Sequence, residues 1–207
     1  MEKVRNIVFD FGNVLLNLDM SATEKRMNAL IGDKYGFSAE KNAYPAFFEE
    51  YEVGKISEED FLHGLRKMTN DTAQESELKS AWNAMLLDLP AERLEMLLLL
   101  RKKYRVFLLS NTNKTHIDFV MRYLLHTYGI DDWDTRYFEK TYYSHLVGLR
   151  KPDAEIYNFV AKDAAISPAE TLFIDDNSAN IATANALGWQ TVLHNTDEDI
   201  VKVLQNY

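Results

Sequence analysis

From residue 90 onward the chain alternates between two hydrophobic patterns. Short apolar stretches of strand length lie within 105–109, 171–174 and 190–193. Between and around them, at 90–103, from 113, at 153–163, at 178–187 and at the C-terminus, apolar positions recur with the spacing of a helix. Short runs rich in Val, Leu, Ile and Phe predict strands buried on both faces, and the intervening period predicts helices covering them. Strands alternating with helices specify a parallel sheet between two helical layers. Pro90, Pro152 and Pro168 fall where helices are expected to begin, which supports these boundaries. A further apolar run at 7–9 ends at Asp10, where a buried strand should give way to a loop.

Residues 18–88 break the rhythm. Helical periodicity is present at 22–31, 38–52, 57–68 and 74–87, with no strand pattern among them, and Ser57 followed by Glu58, Glu59 and Asp60 has the form of a capped helix start. The expected fold class is therefore α/β, a three-layer Rossmann-like parallel sheet with a small inserted α-helical cap. Its core is drawn from 1–17 and 89–207 and its cap from 18–88. Because the insertion leaves the sheet directly after Asp10, it should sit over whatever the strand ends carry.

Composition narrows the function classes. With 207 residues, 46% of them hydrophobic, the chain can bury the core of one domain and its elaboration. A formal charge of -9 and a pI near 5.1 argue against a nucleic-acid partner, which would call for a basic stripe. Arg101, Lys102 and Lys103 read as a helix end rather than a binding patch. The absence of cysteine excludes disulfides, thiolate catalysis and zinc–thiolate sites. No run is long enough to span a bilayer, and the N-terminal apolar stretch, interrupted by Asp10, lacks a small-residue cleavage site. A cytoplasmic, monomeric protein with no membrane partner is the expectation. His63, His116, His126, His145 and His194 include no pair with metal-ligand spacing on a helix, and they read as surface or packing residues.

Asp10, Ser110, Lys151 and the Asp175–Asp176 pair all stand at or just after predicted strand ends or helix starts. A parallel sheet gathers such ends along one edge, so residues far apart in sequence can line one pocket. Taken singly, each has an ordinary explanation: helix capping for the acids, a turn for Ser110 and Asn111, solvation for Lys151. Together, two acidic positions, a hydroxyl and a lysine suit phosphate chemistry. A carboxylate attacking a phosphoryl group must overcome the repulsion of two anions, which calls for a divalent cation between them. The candidate ligands are oxygens: the carboxylates of Asp10 and Asp176, the Gly12 carbonyl and water. That set suits Mg²⁺. Asp175 would ligate through water or orient the other ligands. Ser110 and Lys151, with backbone amides near Asn111, would hold a phosphoryl group.

In chain order, Phe9-Asp10-Phe11-Gly12-Asn13-Val14-Leu15, Leu109-Ser110-Asn111-Thr112, Arg150-Lys151-Pro152-Asp153 and Ile174-Asp175-Asp176-Asn177 resemble the four motifs of the haloacid dehalogenase superfamily. The resemblance spans essentially the whole chain. It is strongest to sugar-phosphate phosphatases similar to bacterial alpha-glucose-1-phosphate phosphatase and to the phosphatase domain of soluble epoxide hydrolase. It implies a Mg²⁺-dependent phosphatase acting on a small phosphorylated metabolite, with Asp10 forming an aspartyl-phosphate and Asn180 buttressing the metal acids. It also implies that the cap selects the leaving group, and Glu49, Glu52, Gly54 and Trp82 are candidates to face it.

One departure stands out. The superfamily's phosphatases usually carry a second Asp two residues after the nucleophile as general acid and base, and this chain has Gly12 there. General acid–base help is worth about 10² to 10⁴ in rate. Its absence favours substrates with good leaving groups, such as a sugar hemiacetal phosphate or an acyl phosphate, or calls for Asp19, Glu49 or another cap acid as proton donor. It also leaves open a non-catalytic metal- and phosphate-binding regulatory protein. A metal-free 2-haloacid dehalogenase is disfavoured, because such a site gains nothing from two adjacent anions.

Overall fold

The computed structural model describes residues 3–32 and 45–205. Its five strands, β1 (Asn6–Phe9), β2 (Arg105–Ser110), β3 (Lys140–Tyr143), β4 (Thr171–Asp175) and β5 (Gln190–Leu193), form one sheet in the order β3-β2-β1-β4-β5. Every pairing is parallel, with Phe9 level with Leu108 on one side and with Ile174 on the other. β1 lies at the centre, so its C-terminal end is flanked by the ends of β2 and β4.

Alternation along the strands sorts the core into two layers. Ile7, Phe9, Val106, Leu108, Leu172 and Ile174 pack on one face against α5 (Ala91–Leu100), α6 (Lys114–Tyr128) and α11 (Ile200–Val203). Val8, Phe107, Leu109, Tyr142 and Phe173 pack on the other against α9 (Ala154–Asp163) and α10 (Ser178–Ala186). β3 was not among the expected strands. It is the edge strand beside β2, exposed at Lys140 and buried only at Tyr142 and Tyr143, and Lys140-Thr141-Tyr142-Tyr143 has no aliphatic residue to mark it; β5, the other edge, is less buried but shows Val192 and Leu193. Two one-turn helices, α7 (Trp133–Arg136) and α8 (Ser144–Val147), flank it. Arg101 from the basic run donates to the carbonyls of Thr135 and Arg136, both at 2.6 Å, the position of a cation at a helix C-terminus.

Four helices follow β1: α1 (Met20–Ile31), α2 (Ala46–Glu52), α3 (Glu58–Met68) and α4 (Glu75–Trp82). They bury an apolar cluster of their own, including Met27, Phe48, Tyr51, Phe61, Leu65 and Leu78. Ser57 and Asp60 form the capping box that starts α3. The expected helix at 38–52 is seen as α2 beginning after Pro45, and 38–44 lies outside the described residues. The chain enters and leaves this unit side by side: Asn17 N donates to Asp88 O at 2.8 Å, Leu87 N to Asn17 O at 3.0 Å and Asp19 N to Met85 O at 2.8 Å. No helix among the described residues is long and apolar enough to cross a membrane.

Candidate active site

The C-terminal edge of the sheet gathers the candidate groups, and each is fixed by the strand or helix it terminates. Asp10 leaves β1 with its backbone N–H still bonded to Ile174 O at 2.8 Å, so its carboxylate is held against β4. Asp175 is the last residue of β4 and fully buried; Asp176 follows it. Asn177 caps α10 by accepting from the backbone N–H groups of Ala179 and Asn180. Ser110 ends β2, and Asn113 caps α6 by accepting from His116 N at 3.0 Å.

Lys151 lies in the turn before α9. Asn111 Nδ2 donates to Lys151 O and Lys151 N donates to Asn111 Oδ1, both at 2.8 Å, which locks this turn to the loop after β2. Its side chain, only 2% exposed, spans the site: Nζ is 2.7 Å from Asp10 Oδ1 and 2.7 Å from Asp175 Oδ2. Asp175 is held further by Asn177 N at 2.8 Å and by Asn180 Nδ2, 3.0 Å from each of its oxygens. Asp176 Oδ2 accepts from Asn13 Nδ2 at 2.9 Å.

Carboxylate oxygens of Asp10, Asp175 and Asp176 lie within 4.8 Å of one another. Three carboxylates face one ammonium, and the donors are oxygen throughout, so the set fits a hard divalent cation. Burial drives the Asp10 carboxyl up to about 7, with the Asp175 charge adding to the rise and Lys151 opposing it. Burial alone would lower Lys151, but the charges of Asp10 and Asp175 outweigh it and hold the ammonium above its ordinary range. A divalent cation among the carboxylates would favour the ionised form of Asp10.

Above this edge, between sheet and cap, lies a cavity of about 710 Å³. Gly12, Ser110, Asn111 and Arg150 line it from the sheet side, and Glu49, Glu52 and Trp82 from the cap. Ser110 Oγ makes only a long contact of 3.5 Å to Asn111 O. Gly54 does not line the cavity; at φ +68° it passes against the His145 carbonyl, where a Cβ would collide. Asp19 is exposed and caps α1, accepting from Ser21 N at 3.0 Å, and it does not line the cavity either. At Gly12 a Cβ would stand 2.6 Å from Leu18 Cδ1, so a leucine methyl occupies the space beside this glycine.

A model of the haloacid dehalogenase-like hydrolase family matches residues 4–188. The chain belongs to this family. It is 35% identical over 193 residues to a D-ribitol-5-phosphate phosphatase of Bacteroides thetaiotaomicron, covering 91% of this chain and 90% of that protein. It is 30% identical over 194 residues to a sesquiterpene phosphatase of Aspergillus oryzae, covering 92% and 89%. A family enzyme from Bacteroides thetaiotaomicron, solved in complex with magnesium and inorganic phosphate, superposes with a TM-score of 0.87 at 34% identity, covering 98% of this chain and 100% of that one. A hydrolase described as HAD-like, from Porphyromonas gingivalis, does so with a TM-score of 0.87 at 33% identity, covering 99% and 98%.

In this family member the cap is latched onto the sheet domain at several points that sequence reasoning missed. Thr115 Oγ1 donates to Glu58 Oε1 at 2.8 Å, so Tyr51 donates its hydroxyl proton to Thr115 Oγ1 at 2.6 Å while accepting from Thr115 N at 3.0 Å. Arg150 Nε donates to Glu52 Oε1 at 2.8 Å, and its guanidinium lies 3.2 Å from Glu49. His116 stacks on Trp82 and shares a 3.2 Å hydrogen bond with the Trp82 carbonyl. A carbonyl only accepts, so Nε2 carries the proton. Burial holds this imidazole near 4, and it is neutral at ordinary pH. Arg150 sits beside a motif lysine, a signal that it stands near the site, but only docking of the cap reveals its partners.

Proposed function

We propose that this hydrolase is a Mg²⁺-dependent phosphatase that cleaves a small phosphorylated metabolite, a sugar phosphate, through an aspartyl-phosphate on Asp10. The observation that carries this reading is the buried Lys151 ammonium bridging Asp10 and Asp175, with Asp176 beside them, under a cap that encloses a cavity. Asp10, the Gly12 carbonyl and Asp176, with Asp175 behind them, would hold Mg²⁺, which would supply the positive charge that lets one anion approach another. Asp10 attacks phosphorus, the bond from phosphorus to the leaving oxygen breaks and that oxygen takes its proton from water, and a water molecule then hydrolyses the acyl phosphate and restores the carboxylate. Lys151 and Ser110 hold the phosphoryl oxygens, and Lys151 keeps Asp10 ionised enough to act. Residues 1–17 and 89–207 form the catalytic unit, and 18–88 select the leaving group. The named activity of the Bacteroides thetaiotaomicron relative, on a polyol phosphate, supports a hydroxylated substrate.

Leu18 beside Gly12 leaves no carboxylate at the usual position of the general acid, and this one observation favours the regulatory alternative. Phosphate release from a panel of sugar phosphates and acetyl phosphate, with and without Mg²⁺, separates the two. Metal-dependent release by the wild type, reduced to background by Asp10→Asn, is the expected result. Mg²⁺ binding without release from any compound would overturn the phosphatase reading.

A further inference from the structure

The cavity has two unlike walls. On one, Arg150 and Glu52 face each other across the boundary between sheet and cap. Glu52 contributes Oε1 to Arg150 Nε, and its Oε2 takes no donor among the described residues. Both side chains are about two-thirds buried, and burial raises the Glu52 carboxyl even though Arg150 opposes the shift. On another wall Trp82 and Phe48 stand edge to face at 5.4 Å. Arg150 directly precedes Lys151, whose ammonium grips Asp10, so the guanidinium sits on the same turn as the phosphate-binding lysine.

We propose that Arg150 and Glu52 form a bracket that reads hydroxyl groups of the leaving group, and that the aromatic wall receives its carbon face, which selects a polyol or sugar phosphate over a hydrocarbon phosphate. A hydroxyl is donor and acceptor at once: it donates to the open Glu52 oxygen and accepts from an Arg150 N–H. A polyhydroxylated chain satisfies both groups when water leaves the cavity. A hydrocarbon chain of the same length leaves the second Glu52 oxygen and a remaining Arg150 N–H dry and without partners, although the two side chains stay paired with each other, and a site built to bond hydroxyls rejects ligands that lack them. The C–H face of the same polyol matches the rings opposite, in the usual division of a binding site into an apolar wall and a few orienting polar groups.

The inference rests on the phosphatase reading, and acetyl phosphate, which presents no hydroxyl to the bracket, separates the two. Mg²⁺-dependent kcat/KM would be measured for a pentitol phosphate, its deoxy analogue, hexyl phosphate and acetyl phosphate, in wild type, Glu52→Gln and Glu52→Leu. The wild type should prefer the pentitol phosphate to the deoxy and hexyl compounds. Glu52→Leu should lower the ratio of pentitol phosphate to acetyl phosphate roughly ten- to a hundredfold, the scale of a hydrogen bond to a charged group, chiefly through KM. The isosteric Glu52→Gln should fall between. Equal losses on both substrates would mean that Glu52 only latches the cap, and would overturn the proposal. So would an unchanged ratio, or a wild type that prefers hexyl phosphate. Release from none of the four compounds would remove the phosphatase reading and this inference with it.

Discussion

Replacing Lys151 with methionine tests the charge arrangement at the heart of the site. The ammonium is 2% exposed and stands 2.7 Å from both Asp10 and Asp175, the latter fully buried. Removing one partner of a buried ion pair costs about 3–5 kcal/mol, because the remaining charge is uncompensated. A domain of this size loses about 2–4 °C of Tm per kcal/mol, so Lys151→Met should melt roughly 6–20 °C below wild type in EDTA at pH 8. The Asp10 carboxyl, raised from 3.8 to about 7 even with Lys151 present, fixes the pH dependence. Between those values the folded state binds more protons than the unfolded one, so the Asp10 contribution to stability falls as pH rises through that window. Without the ammonium Asp10 titrates still higher, and acidification toward pH 5 should narrow the gap between variant and wild type. The Lys151 contribution in the wild type, with its pKa raised, is fully present below the ordinary lysine value of 10.5 and does not vary across this range. Thermal unfolding by circular dichroism from pH 5 to 8, in EDTA and in Mg²⁺, reads all of these terms. A variant melting within about 2 °C of wild type at pH 8 in EDTA would refute the reasoning.

Mg²⁺ should raise the Tm of the wild type more at pH 7.5 than at pH 5, because its carboxylate ligands must be ionised to bind it; the same scans measure this. Asn180→Ala removes the amide that holds both Asp175 oxygens at 3.0 Å, and Mg²⁺ affinity by calorimetry should fall roughly 10- to 100-fold, the usual effect of losing a group that orients metal ligands. Tyr51→Phe keeps the ring stacked on Phe61 at 4.2 Å but strips the hydroxyl from Thr115; urea unfolding should show a loss of about 1–3 kcal/mol, the cost of unsatisfied buried polar groups. Gly12→Asp must displace the Leu18 methyl 2.6 Å from its Cβ position, and Leu18→Ala alongside it clears that space. The double variant should gain on sugar phosphates relative to acetyl phosphate by at least about tenfold, below the full worth of a well-placed general acid; no gain would place the proton donor elsewhere in the cavity.

Hydrophobic patterning by itself determined the layered α/β architecture, because β1, β2 and β4 are buried on both faces and must read as unbroken apolar runs. It also determined that Asp10, Ser110 and Asp175 would be neighbours, since parallel strands end along one edge however far apart they lie in the chain. β3 escaped because Lys140-Thr141-Tyr142-Tyr143 has no aliphatic residue, whereas β5, equally an edge, was legible from Val192 and Leu193. The helices after β1 were legible as helices, but their contacts with the sheet domain were not. The Arg150–Glu52 ion pair joins residues 98 apart and the Tyr51–Thr115 hydrogen bond residues 64 apart, and Leu18 comes against Gly12 only where the chain turns into the inserted helices. Helical periodicity states which face of α2 is apolar, not which polar residue at its rim meets the sheet domain. Rigid-body docking of two separately packed cores decided that, and with it the shape and chemistry of the cavity.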